Sequence, residues 1–330
     1  MAVKLSTTVS GTVTGSFSPG PRIVIGLLLI ALLLALPFLA YPGFVMKALC
    51  FALFACAFNL VLGFVGLLSF GHAAFFGIAA YATGYAAKFW GFTPELAILF
   101  GALIGGLLGL IVGWVAIRRQ GIYFAMITLA ISQMVFFFCI QAGGITGGED
   151  GLQGVPRGKV FGLIDIEDSL AGYYFVLAVF LLCFALIWRI VHSPFGAVLK
   201  AIRENEPRAI SLGYRVDRFK LLAFTLSAAL AGVAGGTKAI AVQLASLTDV
   251  QWQMSGEVIL MTLLGGVGTL VGPAVGAGLV VSMENYLAES GLPVTTVIGF
   301  VFVVCVLAFR RGIVGEFNVW LGRRGSRAKS

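Results

Sequence analysis

The sequence predicts an all-α polytopic membrane protein of about ten transmembrane helices, some short or broken, with both termini cytoplasmic. Three observations lead there. Hydrophobic residues make up 59% of the 330 residues, charged residues only 11%, and the mean hydropathy is +1.02; soluble domains carry roughly a quarter charged residues. Apolar runs of about 20 residues recur, the length a helix needs to cross a bilayer core, where a membrane β-barrel would show short alternating segments. The 44 glycines, about twice the usual share, let helices approach closely and be interrupted.

In chain order, residues 1–21 are rich in Ser, Thr and Gly with one lysine, and read as a disordered cytoplasmic tail with no cleavable signal. Apolar segments follow at 22–40, 44–62, 72–90, 95–117, 121–141, 172–191, 220–243, 254–269, 273–289 and 293–309, making 22–309 the membrane domain. Residues 310–330 form a basic cytoplasmic tail. Positive charge sets the sides. Arg118–Arg119, the loop 193–220 and the tail from Arg310 belong inside, and the acid-rich loop 142–171 outside. With ten crossings only Lys47, Lys88, Arg157, Lys159 and Lys238 fall outside among the Lys and Arg residues. The stretch 254–289 barely holds two crossings at about 1.5 Å per residue. One long tilted helix there gives nine spans and moves the tail outside; two short helices meeting at Gly265–Pro273 keep all basic regions together. The five cysteines, Cys50, Cys56, Cys139, Cys183 and Cys305, lie within apolar segments and read as small core residues, with no disulfide or metal site.

The longest charged interruption runs from Ser193 to Lys220. It carries Lys200, Arg203, Arg208, Arg215, Arg218 and Lys220 against Glu204, Glu206 and Asp217. KAIRENEPRAISLG reads as a short amphipathic helix, a break at Pro207, and a second turn closed by Gly213. So helical and two-signed a loop is either a docking surface for a soluble partner or a solvated connector with bases on anionic headgroups.

Glycines also punctuate the stretch Gly63–Gly77, which joins the second and third spans. They permit non-helical backbone at membrane depth, tolerated only where it lines a cavity or is packed in protein. A similar string recurs later: Gly63, Val65, Gly66 and Leu68 match Gly265, Val267, Gly268 and Leu270. Two broken elements in corresponding halves point to a transport site, the alternative being chance resemblance between Gly-rich apolar strings. An inverted repeat needs the breaks on opposite faces, whereas the charge-derived topology puts both on one. His72, beside Ser69 and Gly71, either lines a path for a polar solute or is a packed histidine. Other polar groups within spans are Asn59, Ser132, Gln133, Gln243 and Glu257; such groups are costly and call for a functional hypothesis. The candidate pathway is Ser69, Gly71, His72, Gln133, Gly265, Gly266 and Gly268. Gly154–Val160 mimics a phosphate loop, but its glycines are too close and Val160 replaces the Ser/Thr that holds Mg²⁺. The sequence offers no nucleophile–base pair, HExxH, CxxC or acidic metal cluster, so a covalent or lipid-acting membrane enzyme is not expected.

Four motifs in order, GLLSFGHAAFFGIAAYATG (66–84), TGGEDGLQGVPR (146–157), AIRENEPRAISLGYRVDRFKLLAF (201–224) and LLGGVGTLVGPAVGAGL (263–279), resemble the LivM-type permease of branched-chain amino acid ABC importers. The resemblance covers about residues 25–312. It implies a non-catalytic translocation subunit for leucine, isoleucine and valine in a bacterial inner membrane. It also implies a homologous LivH-type permease, two cytoplasmic ATPases that hold the ATP and Mg²⁺, and a periplasmic binding protein. Arg203, Glu204, Asn205, Glu206, Arg208 and Gly213 would meet an ATPase, with Pro207 departing from the aliphatic residue common in the family. Asp150, Gly151 and Leu152 would meet the binding protein. A permease for urea or an amide is the alternative within this class. An ion-coupled secondary transporter is the alternative outside it, disfavoured by the near absence of mid-span acids.

Overall fold

A computed structural model describes residues 31–160, 162, 164–289, 294–308 and 312–316. The expected tails at 1–21 and 310–330, except 312–316, and the side chain of Cys305 lie outside the described residues. Helices occupy every expected apolar segment there: α1 (31–39), α2 (Pro42–Asn59), α3 (His72–Phe89), α4 (Pro94–Ala116) and α5 (Ile122–Gln141). After a short turn, α6 (Gly143–Thr146), come α7 (Ser169–His192), α8 (Pro194–Glu204), α9 (Glu206–Ser211) and α10 (Val216–Val242). The chain then forms α11 (Trp252–Gly265), α12 (Gly272–Glu289) and α13 (Val294–Ala308). Among the described residues, five helical stretches are long and apolar enough to cross a bilayer: Pro42–Val65, α4, α5, α7 and α10. The stretch 254–289 is two helices rather than one tilted helix. They turn where Gly265 meets the carbonyl of Gly272, so closely that a Cβ there would sit 1.9 Å from its oxygen.

Helix α2 is apolar nearly throughout, Lys47 near its start and Asn59 at its end aside, and forms the centre; Phe54, Ala55, Ala57 and Phe58 are fully buried. A helix hydrophobic all round belongs in an interior, and α7, α10, α11 and α12 surround this one. A second block joins α3, α4 and α10 through small residues. Gly235 lies against the Phe76 carbonyl, Gly101 against that of Ala79, and Gly109 against Ala228. Small residues at such contacts let backbones approach in a setting where lipid supplies no hydrophobic drive. The described cysteines are buried free thiols, as their apolar settings required.

Polar links sort the connections into two ends. At one end, Leu152 and Gln153 (β1) pair antiparallel with Leu244 and Ala245 (β4), while Lys159 and Val160 (β2) pair with Ile164 and Asp165 (β3). Lys88 at the end of α3 donates to the Gln153 carbonyl at 2.7 Å, and Arg157 to that of Ala241 at 2.9 Å. Gly154–Val160, the phosphate-loop mimic, thus serves as a clasp between loops. At the opposite end, Gln120 after α4 donates to Glu206 of α9 at 3.0 Å, and Gly312 beyond α13 lies against Gly266.

The end that carries β1 is locked by a buried ion pair. Lys238 Nζ on α10 donates to both Asp249 oxygens at 2.8 and 2.6 Å, with the two residues 7% and 1% exposed. Asp249 also accepts from the Ser246 amide and completes a capping box with that residue's side chain. Removing one partner of a buried pair strands the other, at about 3–5 kcal/mol. Lys238→Met is therefore expected to lower the melting temperature of the detergent-solubilised protein sharply. The double variant Lys238→Met/Asp249→Leu should recover part of the loss, which thermal unfolding of both would measure.

Candidate functional site: two broken segments and a docked loop

The residues singled out in the glycine-rich strings fall into two adjoining clusters. In the first, α2 runs on through a π-helical turn, Leu60–Val65, and ends at Gly66 with φ +85°. Asn59 reaches across Gly63 to the turn between α11 and α12. Its Nδ2 donates to the Thr269 carbonyl at 2.8 Å and its Oδ1 accepts from the Gly268 amide at 3.0 Å. Position 63 must be glycine because a Cβ would lie 2.1 Å from Asn59 Oδ1 and 2.7 Å from the Gly268 nitrogen. The two strings therefore meet at the same end of the helices, as the charge pattern required and as opposite-facing inverted repeats would not. Gly265 and Gly266 are buried in the turn; Gly266 and Gly268 adopt φ of +121° and +77°.

The second cluster is the irregular backbone from Gly66 to Gly71 and the start of α3. Leu67 and Ser69 are buried, and hydroxyls, two from distant helices and one from Ser69 itself, satisfy the backbone amides. Phe70 N donates to Thr128 Oγ1 at 3.2 Å, Gly71 N to Ser69 Oγ at 3.2 Å, and Ala73 N to Ser255 Oγ at 3.0 Å. Thr128 in turn donates to the Ala125 carbonyl at 2.9 Å. Gly71 presses on the Thr128 carbonyl, leaving no room for a side chain. His72 is fully buried in an aromatic box, edge-on to Phe58, Phe75 and Phe224. Its Nε2 bonds Ser227 Oγ at 3.0 Å, and Ser227 donates to the Ala57 carbonyl at 2.5 Å. Gln133 is half-buried on α5, with no hydrogen bond to either cluster among the described residues.

Between α7 and α10 the charged loop folds as α8 and α9. Ser193 caps α8, accepting from the Gly196 amide at 3.3 Å. Leu199 and Ile202 bury one face of α8, leaving Glu204 exposed. The break falls at Asn205, not at Pro207. Asn205 is extended and caps α9 by accepting from the Arg208 amide at 3.1 Å, while Pro207 sits in the first turn, where its missing N–H costs nothing. Glu206 faces inward and pairs at 2.7 Å with Lys220, which is 3% exposed. Arg208 is exposed, and Gly213 with φ +87° turns the chain toward α10. Arg203 points the other way, to the π-turn, where its guanidinium donates to the Gly63 carbonyl.

At the opposite end, Asp150 is exposed, but Gly151 and Leu152 are not. A Cβ on Gly151 would sit 2.5 Å from the Ala245 carbonyl, and Leu152 lies over Gly84. Both are turned inward, Leu152 through strand pairing with β4 and Gly151 against the Ala245 carbonyl. Other polar groups escaped the sequence reading altogether. Thr128, Ser227 and Ser255 look like ordinary helix residues, and only contact across the fold shows what they cap. The Lys238–Asp249 pair had a signal, a lysine inside an apolar helix followed by an acid in the next loop. Similarly, Lys47 and Glu284 approach to 3.7 Å across α2 and α12. An apolar cavity of about 400 Å³ between α3, α4 and α5, lined by Tyr81, Tyr85, Trp90, Phe100 and Phe138, holds none of the expected pathway residues.

No group of three or more potential metal ligands exists among the described residues. No solved structure matches the chain. The permease protein LivM of the high-affinity branched-chain amino acid transport system of Salmonella typhimurium is 26% identical over 326 residues, 91% of this chain and 77% of that protein. Its Escherichia coli counterpart is 28% identical over 286 residues, covering 79% and 67%. The autoinducer 2 import system permease protein LsrC of Klebsiella pneumoniae is 29% identical over 198 residues, covering 58% and 54%. Residues 40–309 match the family described as the permease component of the branched-chain amino acid transport system. That match spans both broken segments, the α8–α9 loop and the helices around them: the chain belongs to the family of branched-chain amino acid transport system permease components.

Proposed function

We propose that this multi-pass membrane protein is the translocation subunit of an ATP-driven ABC importer for leucine, isoleucine and valine. It would cross the bacterial inner membrane ten times with both termini inside. One juxtaposition carries the reading: within the family match, the most charged segment forms two short helices exposed at the end where both broken segments lie. Its partners would be a homologous LivH-type permease, two cytoplasmic ATP-binding subunits and a periplasmic amino-acid-binding protein. ATP and Mg²⁺ would sit on the ATPases, and this chain would be non-catalytic with no cofactor of its own.

In this reading the exposed side of α8–α9, with Glu204, Arg208 and the Gly213 turn, meets the ATPase, while Asn205 and Glu206 hold the two short helices in shape. Asp150 faces the binding protein. The solute path passes the two broken segments. Gly265, Gly266 and Gly268 form its inner narrowing, Ser69, Gly71 and His72 its supporting wall, and Gln133 a polar point further out. Another small polar solute is the second reading, favoured by the relatives named for autoinducer 2 import.

Two measurements test this. In cells lacking their own branched-chain importer, the assembled system should take up labelled leucine. Isoleucine and valine should compete and urea should not. Accumulation by the purified chain alone, without nucleotide, would defeat the reading. Arg208→Glu should lower uptake at least several-fold while shifting stability by no more than about 0.5 kcal/mol, as for an exposed substitution. Glu206→Arg should instead lose both uptake and folded protein, by stranding Lys220. The charge swap Glu206→Lys/Lys220→Glu should restore folded protein, as assayed by yield and melting temperature.

A further inference from the structure

The α8–α9 loop joins α7 to α10 and is pinned to α10 by the Glu206–Lys220 pair, yet it also grips helices it does not join. Arg203, in the last turn of α8, donates to the Gly63 carbonyl in the π-turn of α2. The stem of the same side chain crosses Gly66, where a Cβ would come within 3.2 Å of Arg203 Cγ. Its Nη1 also borders Gly268, at 3.0 Å from where a Cβ would stand. One side chain thus touches glycines from both broken segments, and Asn59 ties those segments together beneath it. Beside it, Lys200 of α8 lies over the Phe64 ring, 5.6 Å from its centroid.

The chemistry suits a firm joint. Carbonyls in the last turn of a helix lack intrahelical partners, and that end carries partial negative charge. A guanidinium there answers both needs, and its planar fork is less costly to fix per bond than a lysine ammonium. We infer that Arg203 is the positioning residue through which displacement of α8 reaches α2 and the α11–α12 turn together, so that the two broken segments open and close as one inner gate. This rests on the importer reading above and adds where the force is delivered: to the central helix as well as to α7 and α10.

The test uses the complete importer in proteoliposomes, with labelled leucine uptake and ATP hydrolysis measured together. In Arg203→Ala, leucine imported per ATP hydrolysed should fall about tenfold, within the range of ordinary coupling free energies. Arg203→Lys should recover part of the ratio. An unchanged ratio in Arg203→Ala would overturn the inference, as would uptake and hydrolysis falling in proportion. A second measurement is independent of how well Arg203 variants fold. Lys200→Cys and Phe64→Cys, bridged by a short thiol cross-linker, should leave uptake near the uncross-linked rate, because α8 and the π-turn travel as one body. Loss of uptake on bridging would overturn the inference. Failure of the importer reading is separable: it would appear as no ATP-dependent leucine uptake by the unsubstituted system.

Discussion

Backbone amides and carbonyls inside a bilayer have no water to turn to, so every irregular stretch must be satisfied by the protein itself. This chain breaks its helices at two stretches, 66–71 and 266–271, that are largely packed in protein, and their polar backbone groups meet the same need. Hydroxyls from α5 and α11 serve the first. Asn59 serves the second from the central helix. Without these donors and acceptors the breaks would each strand several buried polar groups, at about 1–3 kcal/mol apiece. Helix α2 is central for the same reason: it is the element within reach of both.

The two ends of the molecule are built differently. Around β1 and β4 the loops are clasped by paired backbone, by Lys88 and Arg157 on carbonyls, and by the Lys238–Asp249 pair. At the other end single side chains, Asn59, Arg203 and Gln120, bridge segments distant in sequence, beside the Glu206–Lys220 pair. A transporter needs some part of itself to move. The ends of several helices come together at this second end.

Much of this was legible beforehand. Helix positions follow from apolar run length, and the break at Gly265–Pro273 from keeping the basic tail on the same side as the other basic regions, which one long tilted helix would not. The order of apolar segments together with the charge pattern puts both glycine strings on one face, and Asn59 joins them there. The break at Pro207 was displaced to Asn205 because the extended, capping residue, rather than the proline, interrupts the helix. What the sequence could not show was pairing at long range. Glu206 reads as a surface charge until Lys220 is found buried behind it, and Gly151 and Leu152 read as part of an outer face until the β4 segment covers them. Such partners are set by tertiary contact, which no local pattern encodes.

The glycine contacts among α3, α4 and α10 have one more outcome. Where Gly235 rests on the Phe76 carbonyl, no side chain lies between the backbones to roll or slide. Those three helices therefore behave as a single casting with no joint inside it. Whatever flexing the molecule performs must be taken up beyond its edge, so the casting is the fixed jamb against which the rest swings.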